Sequence, residues 1–477
     1  MSTGNISYKE LHEQFVSDHV GTTSPEVAAI LCASGIAVFS RVCVQTFLWK
    51  TTPRFTWYTV AIDHICLVLP LQLILTLWSD YVFLSLVCIL ILSLTGIVFK
   101  LNSGCFKTQW LSWNEIRERH IYPQLSFINN VRAYVLVCTA ISILGVDFVM
   151  FPRRFCKAET YGTGFMDTGV GLFVISNAIV SPEARGKYRN PGIRCLVNCL
   201  TSCLPLLFFG VLRFFVTKGA NYHEHVSEYG VHWNFFFTLA ALKIMSTLFY
   251  INVPEFLWSL CALAVVVGYQ YSLDYGGLKD YILLGEDGQG GRDGLVNANR
   301  EGIFSCLGYF ALYVFGTEIG KMIFRYERRT MSAWRTLLIV MTVMCMFFWV
   351  LYSISALAYG EPVSRRFANI TFVLWILALS TQTMCVSLLV DLIVEYLKIS
   401  SGIAVQTFPT KGLLNAINYN GLFYFLLSNV LTGLVNITME TIHMSALPSF
   451  LILTLYMSCL SAISVCLFVR RVRLKFW

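Results

Sequence analysis

Residues Val146–Gly171 read VDFVMFPRRFCKAETYGTGFMDTGVG, with two Asp, two Arg, one Lys and one Glu set between two hydrophobic runs. Charged groups are costly near hydrocarbon, so such a stretch in an apolar chain is functional or paired. The runs on either side of it, near 131–150 and 164–180, belong to a longer series. Further runs lie near 25–47, 60–79, 81–99, 195–216, 232–251, 255–272, 303–320, 334–357, 368–397, 421–438 and 449–469. Crossing ~30 Å of hydrocarbon takes about 20 apolar residues in a helix. The expectation is an all-α polytopic membrane protein with about thirteen transmembrane helices. Composition agrees: 56% of the 477 residues are hydrophobic and only 13% charged, about half the charged share of a soluble domain.

Residues 1–24 are polar and hold no short apolar region with a small-residue cleavage site. They are read as a lumenal N-terminal segment ahead of a retained first span, with 25–477 as a single multispanning domain. The longest loops, 100–130 and 273–302, leave no room for a soluble domain. No internal repeat is evident, which argues against a transporter built from inverted halves. The sixteen Cys are scattered, many of them inside apolar runs such as Cys66, Cys88, Cys138 and Cys459. They read as buried thiols, not metal ligands.

Alternating the spans sorts the loops onto two sides, and Lys and Arg are unequally shared between them, roughly two to one. The richer side includes Arg117, Arg119, Arg185, Lys187, Arg189, Arg325, Arg328, Arg329, Arg470 and Arg471. The positive-inside rule makes that side cytoplasmic, with the N-terminus lumenal and the C-terminus cytoplasmic. Three N-x-S/T sequons, at Asn5, Asn369 and Asn436, fall on the lumenal side or at its membrane edge. Asn5 is the one best placed for a glycan.

The polar stretch then becomes a short lumenal loop. Asp147 closes the fourth span, Pro152 ends its helix, and Asp167 enters the fifth span beside Gly169 and Gly171. Lys157 follows Asp147 by ten residues, so a loop folding back would bring the two into contact. A nearby cation and burial together tune a carboxylate for proton transfer. The plainer reading is an interfacial ion pair that anchors a helix end. A second cluster, NYHEHVSEYGVHWNFFF (221–237), offers His223, His225 and His232 for hydrogen bonding to a substrate. Its spacing is not that of a zinc site, and no metal is expected. Asn297, Asn299, Arg300 and Glu301 precede the ninth span, and Asn429 and Asn436 lie seven apart on one helix face. Asp391, Glu395 and Lys398 read as a helix-end cluster, while Lys243 lies deeper in its span.

Four of these motifs, VDFVMFPRRFCKAETYGTGFMDTGVG, EHVSEYGVHWNFFF, NREGIFSCLGY and NVLTGLVNITMET, occur in register. Together they resemble the glycosylphosphatidylinositol inositol acyltransferases, the class W proteins of anchor biosynthesis. The resemblance implies a multispanning enzyme of the endoplasmic reticulum. Such an enzyme moves a fatty acyl group, usually palmitoyl, from acyl-CoA to the inositol hydroxyl of glucosaminyl-phosphatidylinositol. In that family an Asp and a Lys of this loop are regarded as catalytic, which here are Asp147 and Lys157. Arg153, Arg154, Asp167, His223, His225, His232 and Asn429 are then candidates for the lipid acceptor, since Arg suits phosphate. Arg185, Lys187 and Arg189 are candidates for the phosphates of CoA. The resemblance implies no cofactor beyond acyl-CoA as co-substrate, and partners limited to the two substrates and the bilayer, with no nucleic acid. Cys156 is not expected to act as a nucleophile. The competing expectation is a secondary transporter or lipid flippase using Asp147, Lys243 and Asp391 as intramembrane relay groups.

Overall fold

The computed structural model describes residues 14–15, 17, 19–48, 56–102, 112–119, 126–187, 193–219, 226–400 and 412–474. Among the described residues thirteen helices carry the fold, and each falls on one of the apolar runs: α1 (Ser24–Leu48), α2 (Trp57–Ile74), α3 (Val82–Asn102), α4 (Phe127–Gly145), α5 (Thr168–Ile179), α6 (Ile193–Gly219), α7 (Phe235–Asn252), α8 (Trp258–Asp274), α9 (Arg300–Phe324), α10 (Met331–Ser353), α11 (Ile370–Ser400), α12 (Gly421–Thr438) and α13 (Ala446–Val469). Twelve of them are long and apolar enough to cross a membrane, and α5 is the exception. Among the described residues there is no sheet. The protein is an all-α polytopic membrane protein.

α11 is the central pillar. Trp375, Ile376 and Leu388 on it are buried. At 31 residues it runs about 46 Å, longer than the hydrocarbon it crosses. α5, with 12 residues, runs only about 18 Å and sits between α9 and α11. Small residues make that fit possible. A Cβ at Gly171 of α5 would come within 2.7 Å of Ile376, and Gly316 and Gly320 of α9, four apart, lie against Ala178 and the Ile179 carbonyl. This is the small-xxx-small contact by which membrane helices approach closely without a hydrophobic drive.

Ion pairs report which loops share a face. Arg154 reaches Glu26 and Asp80, Lys157 reaches Glu228, Arg365 reaches Asp167 and Glu228, and Lys321 reaches Glu255. All of them join loops or helix ends that the alternation of thirteen crossings puts on the same side. The pairing of Lys157 with Glu228 requires two crossings between them, so α5 counts as one despite its length.

Some of the charges inside the spans have partners too. Arg41 of α1 binds Asp63 of α2 through two hydrogen bonds, at 2.6 and 3.0 Å, and Gln45 and the Leu413 backbone N–H also donate to that carboxylate. The buried Asp391 of α11 accepts from Ser126 and from the first backbone N–H groups of α4, which would otherwise be orphaned at the helix start. It is a cap, and one of the three groups a transport relay would need is thereby employed in holding two helices together.

Candidate active site

The loop between α4 and α5 is built by one arginine. After Gly145 the chain makes successive tight turns through Val146–Phe151, leaving backbone carbonyls that no helix satisfies. Arg153 takes them up: its guanidinium donates to the carbonyls of Val146 (2.9 Å), Phe148 (3.0 Å) and Phe151 (2.7 Å) and stacks 4.0 Å over the Phe15 ring. That wrapping turns Asp147 inward, where it is 1% exposed and accepts a 2.8 Å hydrogen bond from Asn436 Nδ2 of α12. Phe148, Phe151 and Phe155 are wholly buried beside it. Residues 19–24 lie along the same loop, with Thr22 N–H donating to the Thr163 carbonyl and Glu159 N–H to that of His19.

Lys157 turns away from Asp147. Its Nζ lies 2.8 and 2.9 Å from the two oxygens of Glu228, so the expected contact with Asp147 is not formed. The reason lies in Arg153, which closes the loop on itself before Lys157 is reached, and in Cys156, buried between the two charged residues. Both Asp147 and Lys157 act electrostatically on the Cys156 thiol. Burial dominates there and pushes the thiol up to about 11, which leaves Cys156 protonated and no nucleophile.

From Lys157 the charges continue inward. Glu228 receives Arg365 Nη1 at 3.1 Å, and Arg365 Nε donates at 2.9 Å to Asp167. Asp167 also accepts the backbone N–H groups of Ala158 (3.0 Å) and Gly164 (2.9 Å), pinning the segment that follows Lys157. Burial alone would push the Glu228 carboxyl up, but Lys157 and Arg365 hold it down at about 2. The neighbouring Arg366 donates to Glu301 at 3.0 Å, and Arg292 binds the same carboxylate at 2.7 Å. Arg300 is wholly enclosed, spending its donors on the carbonyls of Ile282, Gly291 and Asn297. Residues 226–230 are fastened to this block through Val231 N–H on the Ala298 carbonyl and His232 N–H on Asn299 Oδ1.

These contacts draw the four motifs and the Arg365–Arg366 pair into one constellation on one face. Comparison with known proteins gives it a setting. The GWT1 family model matches residues 8–467. The chain belongs to the GWT1 family. It is 34% identical to the human glucosaminyl-phosphatidylinositol-acyltransferase PIGW, over 99% of this chain and all of that protein. It is 32% identical to the phosphatidylinositol-glycan biosynthesis class W protein of Dictyostelium discoideum, over 98% of this chain and 99% of the other. It is 34% identical to the GPI-anchored wall transfer protein 1 of Gibberella zeae, with the same two shares.

In this GWT1 member the candidate residues divide into three groups. Asp147, Lys157 and Asp167 lie around Cys156 in and under the loop without touching one another. Arg153 and Arg154 are engaged within the protein. Arg153 binds three carbonyls, and Arg154 bridges Glu26, Asp80 and the Ser79 carbonyl, which gives both a role in holding the loop. His232 is exposed beside Phe214, and Asn429 donates to the Phe425 carbonyl of its own helix, so neither joins the charged constellation. Arg185 and Lys187 are exposed beyond the far end of α5, Arg185 stacking on Phe324 at 5.3 Å. His223, His225, Arg189 and Asn5 lie outside the described residues. Among the described residues no three His, Cys, Asp or Glu side chains gather as a metal site.

Sequence reasoning missed Arg365 and did not see Glu228, which stands in the histidine cluster, as the partner of Lys157, or Asn436 as a partner of Asp147. Two adjacent Arg in a ten-residue loop on the face poorer in basic residues was the available signal for Arg365 and Arg366.

Proposed function

We propose that this GWT1-family protein transfers a fatty acyl group, palmitoyl or similar, from acyl-CoA to the inositol hydroxyl of glucosaminyl-phosphatidylinositol. The observation that carries the reading is full-length kinship with proteins named for acyl transfer to glucosaminyl-phosphatidylinositol and for anchor biosynthesis. A thioester is already activated, so the work left to the protein is to take a proton from a weak nucleophile and to stabilise an oxyanion. Asp147, buried and steadied by Asn436, is the base. It removes the inositol hydroxyl proton as the oxygen attacks the thioester carbonyl. Lys157 faces the negative charge that develops on the carbonyl oxygen. Collapse breaks the C–S bond, and the departing CoA sulfur takes up a proton as the ester is released.

The protein works in the endoplasmic reticulum membrane, with its N-terminus and the 146–167 loop lumenal and its C-terminus cytoplasmic. The excess of Lys and Arg on the opposite loops supports that orientation. Acyl-CoA then approaches from the side opposite the catalytic loop, and the shortness of α5 eases the geometry. Arg185 and Lys187 sit beyond one end of α5 and Asp167 just before the other, so an axial rise of about 18 Å separates the ends in place of a full ~30 Å. With CoA phosphates held at Arg185 and Lys187, the thioester has only that shorter way to travel along α5. His223, His225, His232 and Asn429 remain candidates for the acceptor headgroup.

The transport reading is weaker. Asp391 caps α4, and the Arg41–Asp63 pair locks α1 to α2, so these two carboxylates among the described residues are engaged in holding helices together. Purified protein, labelled palmitoyl-CoA and a glucosaminyl-phosphatidylinositol analogue decide the matter. A labelled, inositol-acylated product that is lost with Asp147→Asn is expected. No product under conditions where the protein stays folded would overturn the proposal.

A further inference from the structure

Lys157 is a flexible, four-carbon cation on a loop, and a solvent-facing lysine of that kind is seldom held in one geometry by a single surface carboxylate. Here the holding is of another kind. Side-chain exposure falls steadily inward along the chain of charges, from 42% at Lys157 to 16% at Glu228, 5% at Arg365 and none at Asp167. Only the outer member is open to a ligand. The inner members are anchored: Asp167 by two backbone N–H groups and an arginine, and Arg365 by two carboxylates at once. Glu228 itself sits on a one-turn helix, Val226–Tyr229, that is tied to the Lys157 loop by Ser227 Oγ on Glu159 Oε1 at 2.6 Å. Gly230 follows at φ +113° and packs so closely on Asn299 that a side chain there would strike it.

We infer that Glu228, steadied by Arg365, is a positioning residue that fixes the Lys157 ammonium in its working place. The inference rests on the reading above that Lys157 acts in the reaction. Both Glu228 oxygens hold Nζ, at 2.8 and 2.9 Å, while 42% of the lysine side chain stays exposed. Arg365 suits its post because a guanidinium fork donates from separate nitrogens in one plane, one to Glu228 and one to Asp167, where a lysine would offer a single movable point charge. The depressed Glu228 carboxyl stays ionised at any working pH, so it holds Lys157 without competing with Asp147 for the substrate proton. Arg365–Arg366 lies about 200 residues from Lys157 along the chain, so no local sequence pattern discloses the Lys157–Glu228–Arg365 chain.

The test uses the full-length protein in detergent or nanodiscs, with labelled palmitoyl-CoA and the glucosaminyl-phosphatidylinositol analogue. Misplacing a reacting group by about an ångström costs on the order of a hundredfold. Glu228→Gln should therefore lower kcat about a hundredfold with KM for both substrates unchanged, and Glu228→Asp should recover part of the loss. A wild-type kcat in Glu228→Gln, or a change confined to KM, overturns the inference. Lys157→Met separates the two levels: wild-type activity in that variant sinks the catalytic reading of Lys157 itself. Should Glu228→Gln fail to fold, Glu228→Asp decides alone, with a fall in kcat at constant KM in support and a wild-type kcat against. Loss of folding in both variants marks the residue as a structural strut and also overturns the inference.

Discussion

Asp167→Asn tests whether the buried end of the charge chain is an anchor. The native carboxylate is fully enclosed and receives three donors, from Ala158, Gly164 and Arg365, at 2.9–3.0 Å. An amide of the same shape keeps one acceptor oxygen but turns an NH2 group toward donors it cannot satisfy. Arg365 is left with Glu228 as its one carboxylate. Removing one partner of a buried ion pair costs about 3–5 kcal/mol, because the remaining charge stays desolvated. The exposed Arg329–Glu327 pair, closer at 2.6 Å but more than half exposed on both sides, is worth about 0–1 kcal/mol. Thermal unfolding in detergent, followed with a thiol-reactive fluorophore, reads both. Free thiols buried in the bundle, such as Cys138 and Cys203, supply the signal. Asp167→Asn should lower the unfolding temperature by several degrees, while Glu327→Gln leaves it within about one. Equal unfolding temperatures for Asp167→Asn and wild type, or an equal loss in Glu327→Gln, would refute the argument that burial sets the value of these pairs.

Asp147→Asn should reduce acyl transfer at least a thousandfold while shifting the unfolding temperature little, since the amide can still accept from Asn436; a single-turnover assay beside a melting curve checks both halves. Of the three sequons, Asn369 is buried with its amide on Glu361 and the Pro362 carbonyl, and Asn436 is committed to Asp147. Endoglycosidase treatment should therefore change gel mobility in wild type but not in Asn5→Gln; a mobility shift that survives in Asn5→Gln counts against this. Glu228 lies at about 2 in the folded protein against an ordinary 4.5, so its charge contributes stability that is fully present above about pH 4.5 and is lost as pH falls toward 2. The gap in unfolding temperature between wild type and Glu228→Gln should narrow across that window, and a gap that stays constant would contradict it. A tag placed after Trp477 should be digested by protease in sealed microsomes without detergent; protection of the tag would reverse the proposed orientation.

The apolar runs made the thirteen helices legible, because the cost of an unsatisfied backbone in hydrocarbon leaves little but helices for such segments. α5 was harder to judge, since a run of about seventeen apolar residues does not disclose that its helix is only twelve long. The reach of Lys157 was misread for a related reason. Ten residues separate it from Asp147, and short separation favours contact only when the intervening backbone has no obligations of its own. Here the carbonyls of Val146, Phe148 and Phe151 claim Arg153, and the loop closes without Lys157. The actual partner, Glu228, stands 71 positions away, and its own partner, Arg365, a further 137. Pairings over such spans are decided by helix packing, which leaves no local pattern. Arg41, an interruption in the first apolar run, is explained only when Asp63 is seen opposite it.

The contacts around Asp147 and Lys157 also set a timetable for biogenesis. Glu26 arrives with the first helix, the loop itself with the fourth, Glu228 after the sixth, Arg365 after the tenth and Asn436 at the end of the twelfth. Until α12 is inserted, the site lacks the Asn436 amide that donates to its buried carboxylate. A ribosome that stalls or a chain truncated before Asn436 therefore leaves a bundle with most of its spans and an unfinished candidate site. Quality control that senses unsatisfied charge within the membrane would find such products by the same groups proposed to carry the reaction.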